Sequence, residues 1–233
     1  MAPVGETVAM IETVLYHLST DLIGRAPMQE PIQDEPAPDG SGKSARARIL
    51  KAAAELFYRD GIRAVGVDAV IAHSGVAKMS LYRNFSGKDE LVAAFLEDFD
   101  RVYWDWWDRV TARHPDDPRA QIRALFTALG KRTTSPGYRG CPFINTAVEF
   151  PEPDHPGHAV ARANKRELRE RLRGLASAVG AADPGLLADQ LLLVMDGAYT
   201  SGQTLGADGV GQAAAAAAEA LVDAACGPLT INK

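Results

Sequence analysis

The sequence predicts an all-α protein, with a small N-terminal module of short helices followed by a larger helical domain. Three observations predict it. From about residue 43 onward, apolar residues recur three and four positions apart. No stretch alternates apolar and polar residues between hairpin turns, which argues against strands as a main element. Three short helical patterns precede a long one, with Gly75 in the turn between the second and the third.

Composition narrows the class of protein. A chain of 233 residues that is 46% hydrophobic can bury a sizeable core and holds one or two domains. Its two cysteines, Cys141 and Cys226, lack metal-type spacing, so no disulfide framework, zinc module or cofactor is expected, and a reducing cytoplasm fits. Apolar runs such as Leu191 to Met195 are far below the roughly 20 residues a bilayer span needs. The N-terminus carries acids rather than a basic leader, so the reading is a cytoplasmic chain with no membrane partner. The formal net charge is −5, but charge is unevenly placed. Residues 1 to 42 hold seven acids and one base, Arg25, whereas Lys43 to Lys88 hold nine Lys or Arg against Glu55, Asp60 and Asp68. A basic segment inside an acidic chain is the electrostatic footprint of a local polyanion site.

The elements follow in order. Val4, Val8, Ile11, Leu15, Leu18 and Leu22 have the spacing of one amphipathic helix, and four prolines between Pro27 and Gly42 give linker composition. Ile49, Ala53, Leu56 and Phe57 share a face of a helix opened by Ser44 and closed by Gly61. A second helix covers Asp68 to about His73, Ser74-Gly75-Val76 forms a tight turn, and a third runs from about Ala77 to Asn84. Ser86 is the expected N-cap of a long fourth helix reaching about Arg113, with Asp89 and Glu90 in its first turn. Pro115 and Pro118 interrupt the pattern. Further helices are expected at about Arg119 to Thr133, Phe143 to Phe150, Gly157 to Val179, Pro184 to Leu205 and Gly209 to Cys226.

The stretch Ile71-Ala72-His73-Ser74-Gly75-Val76-Ala77-Lys78-Met79-Ser80-Leu81-Tyr82-Arg83-Asn84-Phe85, followed by Gly87-Lys88-Asp89-Glu90-Leu91, resembles the signature of the TetR family of regulators. The match is dense from Ile49 to Leu91. The resemblance implies a helix-turn-helix DNA-binding domain over 43–90 and a helical effector-binding and dimerisation domain over 91–227; the acidic extension and linker over 1–42, read from composition, resemble nothing in the family, and a tail is left at 228–233. Two positions depart from the family pattern. Ala77 stands where a Ser or Thr cap is common, which costs about 1 kcal/mol of capping, and Asn84 stands where His is common.

A helix laid in the major groove needs polar side chains toward base edges and donors at its flanks for phosphates. Lys78, Ser80, Tyr82, Arg83 and Asn84 are the candidates here. Lys88 and the amides that open the fourth helix are candidates for a further phosphate. Leu81 and Phe85 read as the side that docks on the core. Taken singly, Tyr82 reads equally as a half-buried core residue, and Lys78 or Arg83 as solvated charges.

Behind the module lies a high aromatic density. Phe95, Phe99, Tyr103 and Trp106 or Trp107 form a helical stripe, joined by Phe126, Phe143 and Phe150. The resemblance implies that these helices enclose a small-molecule pocket; the alternative is a plain aromatic core. The polar tips of Tyr and Trp favour the pocket, because they need partners when buried. The expected ligand residues are Phe99, Tyr103, Trp106, Trp107, Phe126, Phe143, Asn145, Glu149, Arg162 and Asp196, with His158 a further polar candidate. The acids and imidazoles from Glu149 to His158 match no metal-ligand spacing and read as a solvated loop, so no metal is expected. The last two helices are rich in Leu and Ala, and the resemblance implies that they form a two-fold interface between copies.

The function expected is that of an operator-binding homodimeric regulator, a repressor released by a small, mainly apolar effector. One competitor is a ligand-binding or protein-interaction scaffold of the same fold without operator binding. Another is an enzyme using Cys141 with His155 or His158, for which no nucleophile, base and orienter can be placed.

Overall fold

The computed structural model describes residues 41–206 and 210–226, all in helices and their connections. The acidic extension, its expected amphipathic helix and most of its linker, together with the C-terminal tail, lie outside the described residues. The helices are α1 (Ser41–Asp60), α2 (Val67–Ser74), α3 (Lys78–Asn84), α4 (Lys88–Thr111), α5 (Pro118–Thr133), α6 (Pro142–Glu149), α7 (Pro156–Ala178), α8 (Pro184–Leu205) and α9 (Val210–Cys226). The described residues form two compact units, divided between Phe95 and Leu96. The all-α class is what the sequence predicts. Among the described residues, no helix is long and apolar enough to cross a membrane.

Helix boundaries are set by local chemistry. Gly61, at φ +91°, ends α1 and donates its N–H to the Phe57 carbonyl. Four helices carry proline in their first turn, Pro118, Pro142, Pro156 and Pro184, where the missing N–H removes no helical bond. Asp117 and Asp183 cap two of them by accepting from the N–H groups of Ala120 and Leu186, each at 2.9 Å. Ser86 is the expected N-cap of α4, and the first helical residue is Lys88, one position later than that cap would give; the Ser86 N–H donates to the Glu90 carboxylate at 2.6 Å, which ties the entering chain to the first turn.

In the first unit, Ile49, Leu56 and Phe57 of α1 pack with Val70, Leu81, Phe85, Leu91 and Val92 in a buried core. The rings of Phe57 and Phe95 meet edge to face at 5.7 Å. Each such side chain stabilises by roughly 1.5–3 kcal/mol when fully buried.

In the second unit, α9 packs on α5 and α8, and α7 packs on α6 and α8. The stripe Phe99, Tyr103, Trp106, Trp107 and Val110 buries one face of α4. Two glycines allow α5 and α9 to touch through their backbones. A Cβ added to Gly130 would lie 2.9 Å from Gly211 backbone atoms.

Candidate functional site

In the first unit the site begins with the α2–turn–α3 geometry. Gly75 sits at φ +63°, a left-handed conformation that L side chains rarely adopt. Its N–H donates to the Ile71 carbonyl, closing α2. Arg48 of α1 then reaches across, donating from Nη2 to the carbonyls of Ser74 (2.7 Å) and Gly75 (3.0 Å). A cation at a helix C-terminus satisfies carbonyls that the helix leaves unpaired. On the same helix, His73 Nε2 lies 2.5 Å from a carboxylate oxygen of the buried Glu55. The turn is therefore tied to α1 at two points.

α3 opens at Ala77 without a side-chain cap, so only the backbone bond from Ser80 N–H to the Ala77 carbonyl (2.8 Å) forms there. Leu81 is fully buried and Phe85 nearly so, with the Arg46 guanidinium 5.1 Å above the Phe85 ring. With that side docked, Lys78, Met79, Tyr82 and Arg83 face outward, and Met79 is 63% exposed. Ser80 and Asn84 are half-buried at the edge of this face. The Asn84 amide donates to the Ser80 carbonyl at 2.7 Å, so its donor serves the helix itself in this structure. Lys78 pairs with Asp68 at 3.0 Å, and that hydrogen bond raises the Lys78 pKa. Both partners are well exposed, so the pair is weak and the ammonium can be re-aimed at a phosphate.

At the start of α4, Lys88 donates to the Arg63 carbonyl at 3.3 Å. The hydrogen bonds from the Ser86 side chain and backbone lower the Glu90 pKa, fixing a negative charge beside the helix start. Met79 was absent from the sequence-based candidates. An exposed thioether flanked by cations and a tyrosine is the signal that identifies it, and exposure could only be read once Leu81 was seen to set the rotation of α3.

The second unit contains a narrow cavity lined by Phe99, Tyr103, Arg132, Cys141, Pro142, Phe143, Asn164, Lys165, Leu168 and Tyr199. The space open to the centre of a water molecule is about 10 Å³, room for one water. Phe99 and Phe143 meet edge to face at 5.7 Å on its wall. Lys165 is paired with Asp196, and Asn164 donates to Asp100 at 2.8 Å. Burial raises the pKa of the Tyr103 and Tyr199 hydroxyls and of the Cys141 thiol. The shift at Cys141 runs opposite to that of an activated nucleophile. His155 stacks on Phe150 at 4.0 Å, and His158 faces Arg162 at 3.2 Å.

The expected ligand residues divide between wall and surroundings. Phe99, Tyr103 and Phe143 line the cavity, and Asp196 stands behind Lys165. Trp106, Trp107 and Phe126 are buried outside the lining. Asn145 donates to the Arg139 carbonyl, Glu149 is half-buried, and Arg162 is exposed; none of the three lines the cavity. Arg132, Asn164, Lys165, Leu168 and Tyr199 were not among the sequence-based candidates. Asn164 carried a legible signal, a polar residue in the apolar stripe Ala161, Leu168 and Leu172. Arg132 carried none, since nothing local separates it from a surface arginine.

Comparison with known proteins places both units in one setting. Residues 49–95 match the model of the family described as bacterial regulatory proteins, tetR family. A TetR-family transcriptional regulator from Streptomyces coelicolor is 31% identical and superimposes with a TM-score of 0.76, covering 79% of this chain and 97% of that one. A TetR-type regulator from Streptomyces avermitilis is 35% identical, with a TM-score of 0.69 and coverage of 78% and 97%. Over 97 residues the chain is 37% identical to the HTH-type transcriptional repressor KstR2 of Rhodococcus jostii, 40% of this chain and 45% of that protein.

Proposed function

Because this chain belongs to the TetR family and is a DNA-binding regulator, we propose that it represses transcription as a homodimer on a palindromic operator. In this reading a small, largely apolar organic molecule entering the second unit releases it. The observation that carries the reading is the outward face of α3, where Lys78, Met79, Tyr82 and Arg83 are presented while Leu81 and Phe85 hold the opposite side in the core. Lys78 and Arg83 supply donors for guanine edges or phosphates, Tyr82 and Lys88 supply phosphate contacts, and Ser80 and Asn84 border the groove. Met79 has the chemistry to contact a thymine methyl.

Two symmetric half-sites require a two-fold protein. Supporting this, Leu186 and Leu193 of α8 are exposed, at 56% and 72%. On α9, Ala213, Ala216, Ala220 and Ala224 are exposed at helical spacing, which permits close approach of another helix. The repressor sense follows the Rhodococcus jostii relative, whose name is that of a repressor. The effector reading rests on the cavity, whose walls include Phe99, Phe143 and Leu168.

The test is selection of bound DNA from a random pool, followed by affinity measurements on the selected sequence across a salt series. A palindromic consensus bound at two subunits per site is expected. Recovery of no consensus, with binding equal to that of scrambled DNA, would instead support a scaffold of this fold that does not bind an operator.

A further inference from the structure

The second-unit cavity contains a donor that the protein itself does not use. Arg132 Nε is buried and has no hydrogen-bond partner among the described residues. No carboxylate pairs with this guanidinium there either. Its neighbour is the Phe99 ring, 5.5 Å from the guanidinium carbon. The other cation on the wall, Lys165, is already paired with Asp196. One further donor nearby is weakly used: the buried Tyr103 hydroxyl has the Met195 sulfur at 3.7 Å, a weak acceptor.

A buried guanidinium donor without an acceptor is costly unless something supplies one. An acceptor bearing full negative charge answers it best, since charge-assisted bonds to arginine are the strongest class available. Resting on the effector reading above, we propose that the cavity binds a compact organic carboxylate, its anionic head on Arg132 and its apolar body between Phe99 and Phe143. This adds a charged head to the expected mainly apolar effector, because the wall contributes a cation with no counter-charge among the described residues. The size of the cavity is consistent with it. Room for one water accommodates a carboxylate oxygen, so the head enters the existing space while the body requires the rings of Phe99 and Phe143 to part. A small monocyclic body is thereby favoured over a long chain.

The full chain is titrated with benzoate and phenylacetate and, separately, with their neutral isosteres benzamide and phenylacetamide. Binding is followed by tryptophan fluorescence, with Trp106 5.4 Å from Tyr103 as the reporter, and by thermal stability. Carboxylates are expected to bind about 10- to 100-fold more tightly than their amides. Arg132→Met is expected to abolish that preference, while Arg162→Met, outside the cavity, leaves it intact. Without ligand, Arg132→Met should melt at or above the wild-type temperature, because it removes a buried unsatisfied donor. That result also shows that the variant folds. Equal binding of acids and amides, retained preference in Arg132→Met, or no binding of either carboxylate would overturn the proposal. DNA binding is measured in parallel on selected sequences. Failure there with carboxylate binding intact would sink the operator reading and leave the anion site standing, whereas intact DNA binding without carboxylate binding would do the reverse.

Discussion

Replacing Gly75 by Ala tests whether the turn aims the reading helix. Two costs can be worked from the structure. The residue sits at φ +63°, and holding an L side chain in the left-handed region costs about 1–2 kcal/mol. The new Cβ would also lie 2.8 Å from Arg48 Nη2, closer than real Cβ atoms approach, so the guanidinium must withdraw from the Ser74 and Gly75 carbonyls. Those two bonds, partly open to solvent, contribute together about 1 kcal/mol. The sum is about 2–3 kcal/mol. The assay is hydrogen exchange of α2 and α3 amides, in which protection should fall about 30- to 150-fold, read alongside operator affinity. Arg48→Ala alone should cost about 1 kcal/mol, and the double variant should fall short of additivity by a similar amount, because the steric conflict has then been removed. Strict additivity, or a Gly75→Ala variant within about 0.5 kcal/mol of wild type, would refute the idea that Arg48 and Gly75 act as one device.

Further outcomes follow from individual contacts. Lys88→Ala should weaken binding to all DNA sequences alike and lower the salt slope by about one unit per subunit, checked by affinity from low to moderate salt. An unchanged slope would show that Lys88 makes no phosphate contact. Gly130→Ala should push α5 from α9 and cost about 1–3 kcal/mol in urea unfolding, because the added carbon meets backbone rather than a movable side chain. Cys141, buried and with its thiol pKa pushed up, should react with a maleimide or disulfide reagent far more slowly at pH 8 than the half-buried Cys226, as mass spectrometry of labelled peptides would show. Tyr103 and Tyr199 have folded pKa values raised by burial. Their contribution to stability is therefore complete below the ordinary tyrosine value of about 10 and is lost as pH rises beyond it. Alkaline melts should show stability falling from about pH 10 upward, and Tyr199→Phe should flatten that fall.

Much of the molecule could be read from local chemistry. The spacing of Ile49, Ala53, Leu56 and Phe57 dictates which face of α1 is buried. Pro184 and Leu205 bound a helix that the structure reproduces over the same residues, because proline at the first turn and glycine after the last act within a few residues. The reading head was legible for the same reason. Gly75 needs only its own φ, and Leu81 and Phe85 need only helical period to mark the docked side of α3.

Other features depended on residues far apart in the chain. The exposure of Met79 depends on the rotation of α3 against α1, and the Arg48 cap joins groups 26 and 27 residues apart. The cavity is the clearest case. Phe99, Arg132, Asn164 and Tyr199 come from four separate helices and Cys141 from the residue before α6, and no periodicity along one helix records which residues of the others will face it. Periodicity distinguishes a buried side from an exposed one, because that depends on a single helix and water. Whether a half-buried arginine finds a counter-charge is decided only when several helices close around it, and at Arg132 none is supplied among the described residues.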